Sequence, residues 1–90
     1  MNGYAIRLTP RAQRQLKKLP APAQRQIKPA IDELEDNPFP EGRVKLRGVK
    51  KGQPARWRIR VGNFRVVYTI NEGARAVEVL EVQDRKDVYR

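Results

Sequence analysis

Apolar residues recur along this chain with two different periods, and the switch between them divides it into a helical first part and an extended second part. Tyr4, Ile6 and Leu8 alternate with other residues, as in a short strand. Thr9 followed by Pro10 then reads as a helix start, because a hydroxyl can accept a bond from a free first-turn amide and proline suits the first helical position. Ala12, Leu16 and Leu19 fall on one stripe of that helix, and Pro20 and Pro22 are expected to end it. A second helix carries Ala23, Ile27, Ala30, Ile31 and Leu34 on its apolar stripe and stops at Asn37-Pro38. Pro29 lies inside this pattern, so a kink, or a helix whose regular part starts late, is expected there.

Residues 38–54 are punctuated by proline and glycine and read as a connection anchored by Val44 and Leu46. From Ala55 onward the period is two. Trp57, Ile59 and Val61 face one way and Arg56, Arg58 and Arg60 the other; after the turn signal Gly62-Asn63, the apolar face continues through Phe64, Val66, Tyr68 and Ile70. A two-residue turn pairs Trp57 with Tyr68, Ile59 with Val66, and Arg60 with Arg65. Residues 71–75 form a loop around Gly73, and a last strand runs from Ala76 to Val82 with Val77, Val79, Glu81 and Gln83 on one face. One register among several, a hairpin pairing Ile70 with Ala76, sets Glu81 near Arg65 on the open side. The fold class is therefore α+β: a short N-terminal strand, an antiparallel helix pair, and a three-stranded antiparallel sheet whose apolar face meets the helices.

Length and composition narrow this picture. Ninety residues are enough for one domain, spanning 1–90, with any active site on its surface. Twenty Lys plus Arg against ten Asp plus Glu give a net charge of +10, which suits a phosphate-rich partner. Neither helix has the wide apolar face that lipid binding needs, and no segment reaches membrane-spanning length, so no membrane partner and a cytoplasmic location are expected. With no cysteine and no histidine, disulfides, thiol nucleophiles, imidazole bases and the usual zinc ligand sets are excluded, and the reading requires no metal or cofactor.

Directly opposed arginines cost about 1 kcal/mol of repulsion on a partly solvated sheet, and a purely structural surface has cheaper choices. A solvated face partly neutralised by Glu81 is the plain explanation. An anion seated on the arginines is the stronger one, because planar, multi-donor guanidinium suits phosphate oxygens. For RNA, a ribose 2′-hydroxyl attacks the adjacent phosphorus and charge grows on the phosphoryl oxygens, where fixed arginines favour the transition state. Proton transfer still needs a base and an acid. Tyr89 is the leading candidate, since nearby positive charge lowers a phenol's pKa, and Glu81 is the reserve base. In the connection, Arg43, Lys45, Arg47, Lys50 and Lys51 add positive charge, and Lys45, Arg47, Lys50, Lys51 and Arg56 are the candidate RNA- or ribosome-binding residues.

The order strand, helix pair, KLRG at 45–48, WRIRVGNFRVVY at 57–68 and VEVLEVQDRKDVY at 77–89 resembles the RelE toxins of toxin-antitoxin pairs, within the RelE/ParE superfamily. The resemblance implies a small RelE-like, RNase-type sheet that enters the ribosomal A site and cleaves messenger RNA, restrained by a cognate antitoxin in a hetero-oligomer. Carried over by motif, Arg58 and Arg60 fall where relatives often use catalytic lysines, Arg65 on the arginine at the scissile phosphate, Arg85 on the arginine of the closing motif, and Tyr89 on the near-terminal tyrosine. Two departures stand out. Arginine in place of lysine keeps the charge but weakens any role as base, and Asp84 stands where relatives often have histidine. The sister branch, ParE-like toxins that poison DNA gyrase without nuclease chemistry, is the main alternative, and a non-enzymatic nucleic-acid-binding module the third.

Overall fold

The computed structural model describes residues 3–48 and 50–84. Its elements, in chain order, are β1 (Ala5–Leu8), α1 (Pro10–Lys17), α2 (Ala21–Glu33), β2 (Val44–Lys45), β3 (Arg56–Val61), β4 (Phe64–Asn71) and β5 (Ala76–Asp84). The strands form one five-stranded sheet in the order β1-β5-β4-β3-β2. Three strands were expected in it, and the two additions come from different causes. β1 joins the edge of β5 in parallel, a contact between segments about seventy residues apart that no local pattern announces. β2 is a two-residue pairing, Val44 with Arg58 and Lys45 with Trp57, inside what reads as loop.

One face of the sheet and the two helices close the core. Ala12 and Leu16 from α1, Ile27 and Ile31 from α2, and Leu34 just after it pack on Ile59, Val66, Tyr68, Val77, Val79 and Val82. Burying each such aliphatic side chain contributes roughly 1.5–3 kcal/mol, which makes this layer the main source of stability. The Tyr68 ring is wholly inside, its hydroxyl donating to the Pro38 carbonyl at 3.1 Å and so fixing the start of the 38–43 connection against the sheet.

Thr9 caps α1 as its sequence suggests, accepting from the Ala12 amide at 3.1 Å. The same hydroxyl donates to the Leu80 carbonyl, and the Thr9 amide donates to Val79, so the helix start is bound to β5. At the other end, Gln24 Nε2 donates to the Leu19 carbonyl at 2.8 Å. Of the two expectations for Pro29, the late start needs correction: α2 runs from Ala21 to Glu33 with Pro29 inside it, and Pro22 lies in its first turn rather than ending the helix before it. Pro22 fits there because first-turn amides lack partners anyway, and Pro29 is exposed, so the Arg25 carbonyl that it leaves unbonded can turn to water.

The β3–β4 hairpin has the expected register throughout, with Arg60 opposite Arg65. Gly62 takes φ +58° while Asn63 stays at negative φ, the pattern of a type II′ turn, and Gly62 lies so close to the Gln26 side chain that a Cβ would collide with it. The β4–β5 register differs from expectation. Tyr68 pairs with Val79 but Val67 with Glu81, so Leu80 is an extra residue, a bulge. The bulge reverses the alternation: Val77 and Val79 face the helices, whereas Glu81 and Gln83 face the open side and Val82 enters the core. Arg65 therefore lies opposite Gln83, and Glu81 one row away opposite Val67.

Candidate active site: an arginine-lined sheet face

The register arranges the open face in rows. Arg60, Arg65 and Gln83 form one row; Val44, Arg58, Val67 and Glu81 the next; Arg56, Thr69, Glu78 and Arg7 the third. Successive rows lie about 6.6 Å apart, two residues of strand rise. Four guanidinium groups, from Arg56, Arg58, Arg60 and Arg65, thus occupy adjoining positions of two central strands. Strict alternation puts them there: any residue between Trp57, Ile59, Phe64 and Val66 must point away from the helices.

Arg65 is the centre of this cluster. It is part-buried, flanked by Arg60 on one strand and by the neutral amide of Gln83 on the other. Its Nε is shielded from solvent without an acceptor, and among the described residues it has no ion pair, hydrogen bond or ring contact. Arg43 also has a buried, unpaired Nε, but its setting differs. The Arg43 guanidinium lies over the rings of Phe39 and Trp57, at 5.3 and 5.0 Å, and Nη1 donates to the Phe39 carbonyl at 3.1 Å. Arg43, counted from sequence among the surface cations of the connection, is therefore a packing residue on the helix side.

Glu81 does not neutralise Arg65. Its Oε1 stands 3.4 Å from Arg11 Nη2 and accepts from Gln83 Nε2 at 3.0 Å, the sole ion pair among the described residues. The bulge at Leu80 thus turns the Glu81 carboxylate toward α1, and among the described residues the arginines of this face have no ion pair. As a base, Glu81 would first have to give up both partners.

The remaining expected residues divide by location. Lys45, opposite Trp57, belongs by register to the helix side, and Val44, expected as an anchor, is exposed on the arginine side. Arg47, Lys50 and Lys51 are exposed in the β2–β3 connection, next to the Arg56 end of the face. Arg85 and Tyr89 lie outside the described residues. Tyr4 and Tyr68 are both core residues. Burial pushes the Tyr68 phenol up to about 12, against a smaller opposing pull from Arg43, so it is no base. Sequence reasoning missed Gln83 as the neighbour of Arg65, and the only signal for it was a bulge that alternation cannot show.

The family model described as the ParE toxin of type II toxin-antitoxin systems, parDE, matches residues 6–89. The chain belongs to this toxin family, within the RelE/ParE superfamily. Solved structures of RelE toxins share its fold. The RelE of the archaeal RelE-RelB complex from Pyrococcus horikoshii OT3 aligns over 92% of this chain and 96% of its own, with 27% identity and a TM-score of 0.78. The isolated E. coli RelE toxin aligns over 96% and 90%, with 27% identity and a TM-score of 0.74. Among curated proteins, RelE1 of Methanocaldococcus jannaschii is 26% identical over 87 residues, 97% of this chain and 96% of that protein. The chain is thus a RelE-type toxin, with two helices and a five-stranded sheet as its frame.

Proposed function

We propose that this RelE-type toxin is a metal-independent endoribonuclease that cuts messenger RNA on the ribosome, with the arginine face as its phosphate seat. The observation that carries the reading is Arg65: a part-buried guanidinium, set against Arg60, with no counter-ion among the described residues. Such a group is stabilised by an incoming anion, and the gain is largest where charge is growing.

In this reading Arg65 holds the scissile phosphate, and Arg58 and Arg60 neutralise the phosphoryl oxygens as the ribose 2′-hydroxyl attacks. The new bond joins the 2′-oxygen to phosphorus and the bond to the 5′-oxygen breaks, leaving a 2′,3′-cyclic phosphate and a 5′-hydroxyl. In this proposal Tyr89, the tyrosine left once Tyr4 and Tyr68 are assigned to the core, takes or gives the proton, and Arg85 adds positive charge. Arg47, Lys50, Lys51 and Arg56 grip flanking RNA or ribosome, while Lys45 contributes only to the general field. Relatives solved as RelE-RelB complexes support a cognate antitoxin partner in a hetero-oligomer, and substrate and partner alike imply a cytoplasmic site of action.

The family model carries the ParE name, so gyrase inhibition is the reading to test against. Mapping transcript ends after induced expression, beside a supercoiling assay with purified gyrase, separates the two. Internal transcript cuts that vanish in Arg65→Ala, with supercoiling untouched, are expected; intact transcripts with blocked supercoiling would reverse the assignment.

A further inference from the structure

We propose that the far end of the same sheet face is a subsite for an unpaired nucleobase of the RNA strand whose scissile phosphate lies on Arg65, an inference that rests on the nuclease reading above. A cavity of about 530 Å³ opens there, lined among others by Arg7, Pro54, Thr69, Asn71 and Glu78, a volume suited to a small planar ligand. Arg7 and Glu78 are register partners on neighbouring strands of one face, both exposed, yet among the described residues their side chains form no ion pair and no hydrogen bond. Opposite charges placed so closely without closing on each other leave a donor and an acceptor facing a shared space.

Two further polar groups point to the same use. Asn71 spends its Oδ1 on the Ala74 amide at 3.0 Å, while its amide hydrogens have no acceptor among the described residues. The Thr69 hydroxyl likewise has no hydrogen-bond partner among the described residues. In the next row Ala5 and Ala76 contribute only methyl groups, which leaves a low floor for a flat ring beside Pro54.

Glu78 decides between backbone and base. Glu72 also lines this cavity, so two carboxylates there repel phosphate, but a carboxylate accepts the N–H groups on the edge of a base, while arginine donates to ring nitrogen and carbonyl acceptors. Thr69 lies two rows from Arg65, about 13 Å along β4. An RNA strand running down the face past Arg58 and Arg56 reaches the cavity with a base a few nucleotides from the cut.

The test uses reporter transcripts that vary one base at a time around a mapped cut, translated on ribosomes with purified toxin. The wild type is expected to show a base bias at one fixed offset. Arg7→Ala and Glu78→Gln, both at exposed positions, should each flatten that bias by roughly fivefold or more while total cutting persists. An unchanged bias in both variants, or a uniform fall in cutting at every sequence with the bias kept, would overturn the subsite alone. Thermal melting of the variants separates lost selectivity from lost fold. If the wild type cuts no transcript, the nuclease reading itself fails and the subsite goes with it.

Discussion

Among the described residues Arg65 has no counter-charge, which destabilises a part-buried guanidinium in a folded chain, and it also lies opposite a second guanidinium. Removing Arg60 relieves that repulsion. Arg60→Ala is therefore expected to raise stability in chemical denaturation by up to about 1 kcal/mol while lowering RNA cutting; a clearly less stable variant would make Arg60 a structural residue. Tyr68 gives a second prediction at this scale. Its buried hydroxyl holds its proton up to about 12, whereas the unfolded chain's phenol releases it near pH 10. The folded state thus gains stability from the neutral phenol that is fully present below pH 10 and is lost as pH rises toward 12, on the order of 2–3 kcal/mol. Melting curves between pH 9 and pH 12 should show a steeper loss for the wild type than for Tyr68→Phe. Equal slopes would mean that the phenol titrates normally.

The elements explain why some of this was legible from the sequence and some was not. Where one local signal governs, the reading and the structure coincide: the period-two run on either side of Gly62-Asn63 sets the β3–β4 register down to the Arg60 and Arg65 pair. The β5 register depends instead on the bulge at Leu80, which is bound to Thr9 from the far end of the chain. A contact spanning 71 residues leaves no periodic trace, so Glu81 was set against Arg65 when Gln83 lies there. The same holds for β1 at the sheet edge and for Arg43, whose charge reads as surface until Phe39 and Trp57 close over it. Thr9 connects these points. Thr9→Ala loses both the helix cap and the Leu80 bond, so a destabilisation of about 1–2 kcal/mol is expected in urea unfolding, together with reduced activity through a shifted β5. A change of a few tenths would show that the backbone bond from Thr9 to Val79 suffices.

At the scale of the whole molecule, the net charge is +10, and among the described residues the four arginines of the open face have no ion pair to cancel them. Association with ribosomes should therefore weaken steeply with salt, by tenfold or more between 50 and 200 mM if several phosphates are contacted; an affinity indifferent to salt would contradict an electrostatic grip. The most direct test of the phosphate seat is cutting of ribosome-bound messenger RNA by purified wild type and Arg65→Ala, with the product ends identified chemically. The wild type should leave 2′,3′-cyclic phosphate and 5′-hydroxyl ends, and Arg65→Ala should lose at least about a hundredfold in rate while keeping its fold. Undiminished cutting by Arg65→Ala, or products ending in 3′-hydroxyl and 5′-phosphate, would contradict it.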